Sequence, residues 1–286
     1  MIIAKLSGRS RILGPAIAAL LLPACGGQDE NDVVDQGETS APTSALKNGF
    51  IVDGSASWRG VVFLEVKKVG GVTWVPCTAV VTSKKTMVTA AHCVTYALGT
   101  NPSGTVLARA KRETAGSGFQ TIMPESFVAA KYNPAYDGTA SHDVAVITGN
   151  APFLNITQSE AMPIAKGSPS GVTMYTLGYG NFDNGPNYFD GQGRSGQLTV
   201  TYAAGTAEYT SSATASQPWL CHGDSGGPLK MVSGVWMVFG IASQFEGTGT
   251  CGNRGHWAAT ANNWSWIQST IQLANCSETN SAIFCW

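Results

Sequence analysis

The sequence has little charge, few histidines and no long apolar run, and each scarcity excludes a class of function. Charged residues make up 12% of the 286 residues, and from residue 51 onward 13 basic side chains balance 13 acidic ones. A chain without an excess of either sign has no electrostatic reason to bind nucleic acid or anionic lipid. No group of His, Cys and acidic residues has metal-ligand spacing, so neither a metal nor another cofactor is expected.

The apolar run near the N-terminus, residues 12–22, is too short to span a membrane. It follows three basic residues and precedes Leu22-Pro23-Ala24-Cys25, which indicates an export signal over residues 1–24. The run Leu22-Pro23-Ala24-Cys25 resembles a bacterial lipobox, so Cys25 is predicted to carry a lipid. An ordinary secretory signal that happens to contain a cysteine is the alternative. Seven cysteines favour lipidation, because assigning Cys25 to lipid leaves six for disulfides.

After Cys25 the composition changes twice. Residues 25–50 are rich in acids and poor in apolar side chains, which predicts a disordered tether or propeptide. From residue 51 onward, short β-rich runs alternate with Gly, Pro, Asn and Ser turns, which predicts an all-β domain. The runs are 61–66, 87–90, 144–147, 173–177, 197–202 and 235–242. Only residues 262–274 have a helical pattern, with Trp264, Ile267 and Ile271 on one face.

One stretch concentrates glycine around a serine. It reads Cys221-His222-Gly223-Asp224-Ser225-Gly226-Gly227-Pro228. A serine hydroxyl becomes a nucleophile when a base lies beside it and N–H groups bind the oxyanion that forms on the substrate. Glycines let the backbone approach a substrate closely. The stretch therefore predicts Ser225 as a nucleophile, although its G-x-S-x-G pattern also fits the elbow of the α/β-hydrolases.

The partners of the serine decide between these two enzyme folds. With only four histidines in the chain, His92 is the best candidate for a base, because it follows the β-rich run 87–90 and is predicted at the end of a strand. Asp143 is a lone acid that opens an apolar run, and a half-buried acid requires a partner. The order His92, Asp143, Ser225 differs from the serine, acid, histidine order of the α/β-hydrolases. The elbow interpretation therefore fails.

The chain resembles the trypsin-like serine peptidases of the chymotrypsin fold through three separated motifs. They are Thr89-Ala90-Ala91-His92-Cys93, Asp143-Val144-Ala145-Val146 and Gly223-Asp224-Ser225-Gly226-Gly227-Pro228. The resemblance runs over about residues 51–275 and implies two six-stranded antiparallel β-barrels with the active site between them. The implied parts are a first barrel over about 51–155, a second over about 156–261, a C-terminal helix over about 262–274 and an extension over 276–286.

The resemblance also implies roles for single residues. Ser225 would attack the scissile carbonyl, His92 would transfer the proton and Asp143 would orient the imidazole. The backbone N–H groups of Gly223 and Ser225 would form the oxyanion hole. The implied disulfides are Cys77–Cys93 and Cys221–Cys251, after which Cys276 and Cys285 would pair with each other and staple the extension.

Relatives of this kind are usually made as zymogens, and the resemblance implies that an amine freed at Ile51 pairs with Asp224. Phe50 precedes Ile51, where an activator of the trypsin type requires Lys or Arg. The prediction is therefore an activating protease that prefers aromatic residues, or a different cleavage point.

Substrate specificity departs from trypsin as well. Trp219 stands where the trypsin pocket holds an acid, so cleavage after Arg or Lys is not expected. Either Trp219 fills part of the pocket and restricts it to small side chains, or it turns outward and leaves the pocket open and apolar. The other substrate-binding residues implied by the resemblance are Leu220, Ser243, Gln244, Phe245 and Gly255, and the bulky Phe245 is expected to narrow the mouth.

These observations predict a serine endopeptidase that acts on proteins or peptides and is made by the cell for export. It would be anchored to the cell envelope through the lipid on Cys25, or released after processing by an activating protease. The alternative is a lipoprotein without catalytic activity that uses the same scaffold to bind a peptide or a protein partner.

Overall fold

The computed structural model describes residues 46–52, 56–114, 118–181, 191–233, 235–271, 276–278 and 282–285. The predicted signal segment, the lipidated Cys25 and the tether as far as residue 45 lie outside these ranges. Within them, no helix is both long and apolar enough to cross a membrane.

Strands dominate the described chain. They are β1 Phe50–Ile51, β2 Val61–Lys67, β3 Val75–Val81, β4 Thr86–Thr89, β5 Ser103–Thr114, β6 Gly118–Tyr132, β7 Ala145–Thr148, β8 Ile164–Ala165, β9 Val172–Gly178, β10 Arg194–Ala203, β11 Glu208–Ser212, β12 Leu220–Cys221, β13 Pro228–Ser233, β14 Val235–Glu246, β15 Cys251–Gly252, β16 Arg254–Ala259, β17 Cys276–Glu278 and β18 Ala282–Cys285. The helices are α1 Ala91–Leu98 and α2 Trp264–Ile271, and single 3₁₀ turns lie at Ala56–Trp58, Ala140–His142 and Gln158–Glu160.

Two closed six-stranded antiparallel barrels account for most of these strands, as predicted. The first runs in the order β2, β3, β4, β7, β6, β5. The second runs β13, β9, β10, β11, β16, β14 and closes through the pairing of β13 with β14. Closure leaves neither barrel with a free edge, which is one way in which all-β proteins avoid uncontrolled strand pairing.

Each barrel encloses its own apolar core. In the first, Leu64, Met87 and Ile147 are fully buried, and strands such as β4 are buried along their whole length. Burying one such side chain contributes about 1.5–3 kcal/mol, so β-branched and aliphatic runs determine which faces turn inward. In the second, Leu229 and Trp257 are among the buried side chains.

Three parts of the sequence-based picture need correction. Residues 46–50 are not tether, because Leu46 is fully buried and β1 pairs with β10. His92 lies in the first turn of α1, not at the end of a strand. The sequence did not predict α1, because two turns after a β-rich run give little helical signal; packing of Ala91, Cys93 and Val94 holds the helix, and it ends at Gly99 with a φ of 64°.

The C-terminal helix begins at Trp264, two residues later than predicted, and continues to Ile271, with Ile267 and Ile271 buried. Residues 272–274 of the predicted helix lie outside the described residues. The extension after it forms the hairpin of β17 and β18, in which β18 pairs with β8. The register places Cys276 opposite Cys285. The bond between these two cysteines remains a prediction.

Candidate active site

Asp143 holds His92 from two directions. Its Oδ1 accepts the backbone N–H of His92 at 2.9 Å, and its Oδ2 lies 2.7 Å from Nδ1 of the ring. Asp143 is 1% exposed and follows the 3₁₀ turn before β7, whereas His92 is the second residue of α1, shortly after β4. Because β4 and β7 are neighbours in the first barrel, these two chain ends meet. The acid fixes which ring nitrogen carries the proton and leaves Nε2 for other partners.

The carboxylate has further neighbours that the sequence did not identify. Ser243 donates its hydroxyl to Oδ2 at 2.6 Å and is itself buried. Burial raises the pKa of Tyr136 to about 12, with a contribution from the charge of Asp143. The sequence predicted a substrate contact for Ser243, which stays a prediction; the structure adds a second role, in which its hydroxyl supports Asp143 from the second barrel.

The negative charge of Asp143 favours the protonated form of the His92 imidazole. Burial opposes the charged form of His92, but the charge and the hydrogen bond of Asp143 outweigh it and raise the pKa of the ring above its usual value. An imidazole in this position can accept a proton and hold it as a stabilised cation.

The serine lies in a tight loop between β12 and β13. Gly223 has a φ of 96° and Gly226 a φ of 88°, backbone conformations that residues other than glycine rarely adopt. In the part of the chain that the structure describes, the N–H groups of Gly223 and Ser225 donate to no other group. Two free N–H groups beside a hydroxyl can bind an oxyanion.

Hydrogen bonds join this loop to the first barrel. Thr78 on β3 donates its hydroxyl to the carbonyl of Gly223 at 2.9 Å and its N–H to the carbonyl of Ser225 at 2.8 Å. A Cβ at Gly226 would lie 2.1 Å from Thr89 Oγ1 and 3.0 Å from the nitrogen of Ala90, two residues before His92. The loop of Ser225 therefore packs against the residues that carry His92. The sequence did not predict a role for Thr78, because only its hydroxyl distinguishes it from the apolar residues around it in β3.

The two disulfides of the described chain brace the two sides of this site. They are Cys77–Cys93 and Cys221–Cys251, the pairs implied by the resemblance. Cys77 and Cys93 lie close to His92, a grouping that would suit a metal if the sulfurs were free. Because the two sulfurs are bonded to each other, they cannot act as thiolate ligands.

Asp224 is buried beneath the loop and takes its partners from the backbone. Its oxygens accept the N–H groups of Gly180 at 2.9 Å and of Cys221 at 2.7 Å, and the backbone of Leu46 also donates to it. Burial raises the pKa of Asp224 to about 7, although these hydrogen bonds and Arg194 act in the opposite direction.

The structure does not bring Ile51 to Asp224. Ile51 pairs with Arg194 on the barrel surface and is 48% exposed. Leu46 lies at Asp224 instead, with its side chain fully buried and a φ of 41°.

The predicted pocket residues lie in three segments around the serine loop. Leu220 pairs with Gly252, and Phe245 pairs with Gly255. Trp219 is half-buried, donates its indole N–H to the carbonyl of Thr214 at 2.9 Å and has Lys47 4.5 Å from its ring. These contacts correspond to the outward orientation.

Two further acids, Glu246 and Asp190, are alternatives that the sequence offers for a pocket acid. Glu246 pairs with Arg254 at 3.3 Å and with His256 at 3.0 Å. Asp190 lies outside the described residues. Gln244 is exposed.

Comparison with known proteins agrees with the geometry. A family model described as Trypsin matches residues 52–267. Trypsin delta and trypsin gamma of Drosophila erecta are each 27% identical over 204 residues, which is 67% of this chain and 77% of each relative. A stretch of 57 residues is 44% identical to phenoloxidase-activating enzyme 1 of Spodoptera litura. This match spans 19% of the chain and only 15% of that enzyme.

Among solved structures, HL collagenase superimposes with a TM-score of 0.56 at 18% identity. The superposition covers 79% of this chain and 99% of the collagenase chain. At this identity the likeness shows the fold alone.

Proposed function

Because the chain belongs to the trypsin family of serine peptidases, we propose that it hydrolyses peptide bonds of proteins or peptides through an acyl-enzyme on Ser225. The observation that carries the proposal is the pair of His92 and Asp143, joined at 2.7 Å, next to a loop with two free N–H groups.

The catalytic steps follow from these groups. Ser225 Oγ attacks the carbonyl carbon while Nε2 of His92 takes the hydroxyl proton, and the N–H groups of Gly223 and Ser225 bind the oxyanion. The amine then leaves with the proton from His92. A water molecule attacks the acyl-enzyme, gives one proton to His92 and releases the acid, and Ser225 regains its proton. Asp143 stabilises the imidazolium at both stages.

Labelling with a fluorophosphonate tests the proposal, because this reagent bonds covalently to an activated serine. We expect the processed protein to be labelled and Ser225→Ala not to be labelled, with Ser141→Ala as a control that retains labelling. If the processed protein is not labelled, the chain is not an active peptidase, and the binding lipoprotein becomes the better description.

The substrate side chain next to the scissile bond would lie beside Leu220, Phe245 and Gly255. With Trp219 turned to Thr214, none of the described groups at this point offers a carboxylate to a basic side chain. Cleavage after Arg or Lys is therefore not part of the proposal.

Activation is proposed at Leu46 rather than at Ile51. The Leu46 N–H already donates to the buried Asp224, and a φ of 41° strains a residue with a side chain. Hydrolysis of the bond between Ala45 and Leu46 would relieve this strain and give Asp224 an ammonium partner, which a buried carboxylate requires.

The first residue of the active protein tests this step. We expect mass spectrometry of active protein to find Leu46 at the N-terminus, with the bond between Phe50 and Ile51 intact. Asp224→Asn should be cleaved at the same bond but gain little activity. Full activity in a protein that begins at Ile51, or that retains the bond before Leu46, would contradict the assignment.

The compartment follows from the disulfides, which form in oxidising surroundings. Export through the N-terminal segment, attachment through a lipid on Cys25 and an activating protease complete the proposal. Cleavage before Leu46 would separate the peptidase domain from that lipid.

A further inference from the structure

Two segments flank the subsite that the family resemblance implies next to the serine loop. One holds Leu220, which pairs with Gly252, and the other holds Phe245, which pairs with Gly255. Under the proposed function, the side chain of the residue whose carbonyl is attacked lies between these segments, so the space between them determines which side chains fit.

Two apolar side chains fill the floor. A Cβ at Gly255 would lie 2.5 Å from Cη2 of Trp257 and 3.0 Å from Cδ1 of Leu220. Both side chains are buried, Trp257 fully and Leu220 with 4% exposed. The indole end and the leucine methyl therefore meet at Gly255, where an open pocket would continue inward. Trp257 was not among the residues predicted to form the subsite.

Two rings narrow the mouth. The Phe245 ring lies 5.3 Å from the ring of His222, at an angle of 68°. His222 belongs to the serine loop, three residues before Ser225, and Phe245 belongs to β14, so this contact joins the two segments on either side of the implied subsite. On its other side Phe245 is tight against the backbone, since a Cβ at Gly252 would lie 2.5 Å from Cδ2 of the ring. The ring has no space to withdraw toward Gly252.

We propose that the subsite accepts only small side chains, those of Gly, Ala and Ser, at the residue whose carbonyl is attacked. Trp257 and Leu220 limit its depth, and the contact between His222 and Phe245 limits its width. A larger side chain would have to displace these rings, and a mismatch of a single methylene in an apolar pocket already changes rates by about 10- to 200-fold.

The test uses processed protein and a set of peptide substrates that differ only at this residue, with Ala, Val, Phe or Arg. We expect kcat/KM for Ala to exceed that for Phe by at least about tenfold. Phe245→Ala should raise the ratio of Phe to Ala cleavage by about tenfold or more, because it opens the mouth. Phe127→Ala, which removes an exposed ring from the first barrel, should leave the ratio unchanged.

A second variant tests whether Trp257 limits the depth of the subsite. Trp257→Tyr keeps a buried aromatic ring, so it preserves the fold better than a small residue, and it should raise Val cleavage relative to Ala. A parent enzyme that cleaves after Phe or Arg in preference to Ala would overturn the proposal, as would ratios that stay constant in both the Phe245 and Trp257 variants. A protein that cleaves none of the peptides and binds no fluorophosphonate would instead refute the proposed function.

Discussion

Two buried basic side chains, one in each barrel, have different surroundings. In the first barrel Arg112 lies 3.1 Å from the carboxylate of Glu160. In the second, Lys230 has no carboxylate against it among the described residues, although His256 of the same barrel lies near Glu208 and Glu246. The Lys230 amine donates to the carbonyl of Ser57 and faces the rings of Trp58 and Trp236, at 3.3 and 4.2 Å from their centroids.

Buried polar atoms without a hydrogen-bond partner are also distributed unevenly between the two barrels in the described chain. In the described chain, Thr176 Oγ1, Tyr209 OH and Trp257 Nε1 are buried without a hydrogen-bond partner, and all three belong to the second barrel. In the first barrel the corresponding atom is Thr86 Oγ1. In the described chain, the second barrel therefore holds more buried polar groups without a partner than the first.

The largest expected effect comes from breaking the support in the first barrel. Asp143→Asn places an amide where three donors converge, so His92 takes the wrong tautomer and kcat should fall by about 10⁴-fold. The fold should remain, because the replacement has nearly the same shape. The measurement is kcat on a peptide substrate with circular dichroism as the control for folding.

A double variant extends this test across both barrels. If Asp143 and Ser225 act as one unit, Asp143→Asn combined with Ser225→Ala should cost no more than the worse single variant. Multiplying effects would mean that the two barrels contribute independently.

A smaller contrast concerns stability. Ile147→Ala in the first barrel should lower the free energy of unfolding by about 2–5 kcal/mol, because it leaves a cavity in a packed core. Lys230→Met in the second should change it by less than about 1.5 kcal/mol or raise it, because an apolar chain of similar length replaces a buried amine. Denaturant unfolding at pH 7 measures both, and an equal loss in the two variants would remove the distinction.

The pH dependence sharpens the same contrast. Burial lowers the pKa of Lys230 from 10.5 to about 6, although the ring faces favour the cation. Between pH 6 and 10.5 the unfolded chain binds a proton that the folded chain does not, so stability should rise with pH over this window. Lys230→Met should lose that rise.

The sequence predicted the nucleophile, base and acid because each lies in a motif with local chemical meaning: Ser225 between glycines, His92 after a β-rich run, Asp143 at the start of one. It also predicted the two-barrel fold through the family resemblance. It did not predict the long strands β5 and β6, because their mixed burial gives no clean alternation.

The contacts that the sequence did not predict have one property in common. Thr78, Ser243 and Leu46 act on groups more than 90 positions away in the chain: Thr78 on the serine loop, Ser243 on Asp143 and Leu46 on Asp224. Nothing in their local sequence marks them, because their roles exist only after the two barrels pack.

The sequence by itself therefore determined the residue types on which the proposed chemistry depends. The proposed nucleophile, base and orienting acid are single residues in local motifs, and glycine is favoured where the serine loop takes a positive φ. The tertiary structure decided which distant segments meet. Trp219 donates to Thr214, the Trp257 ring reaches Gly255, and Leu46 rather than Ile51 lies at Asp224. Packing between segments far apart in the chain determines these contacts, so no local pattern predicts them.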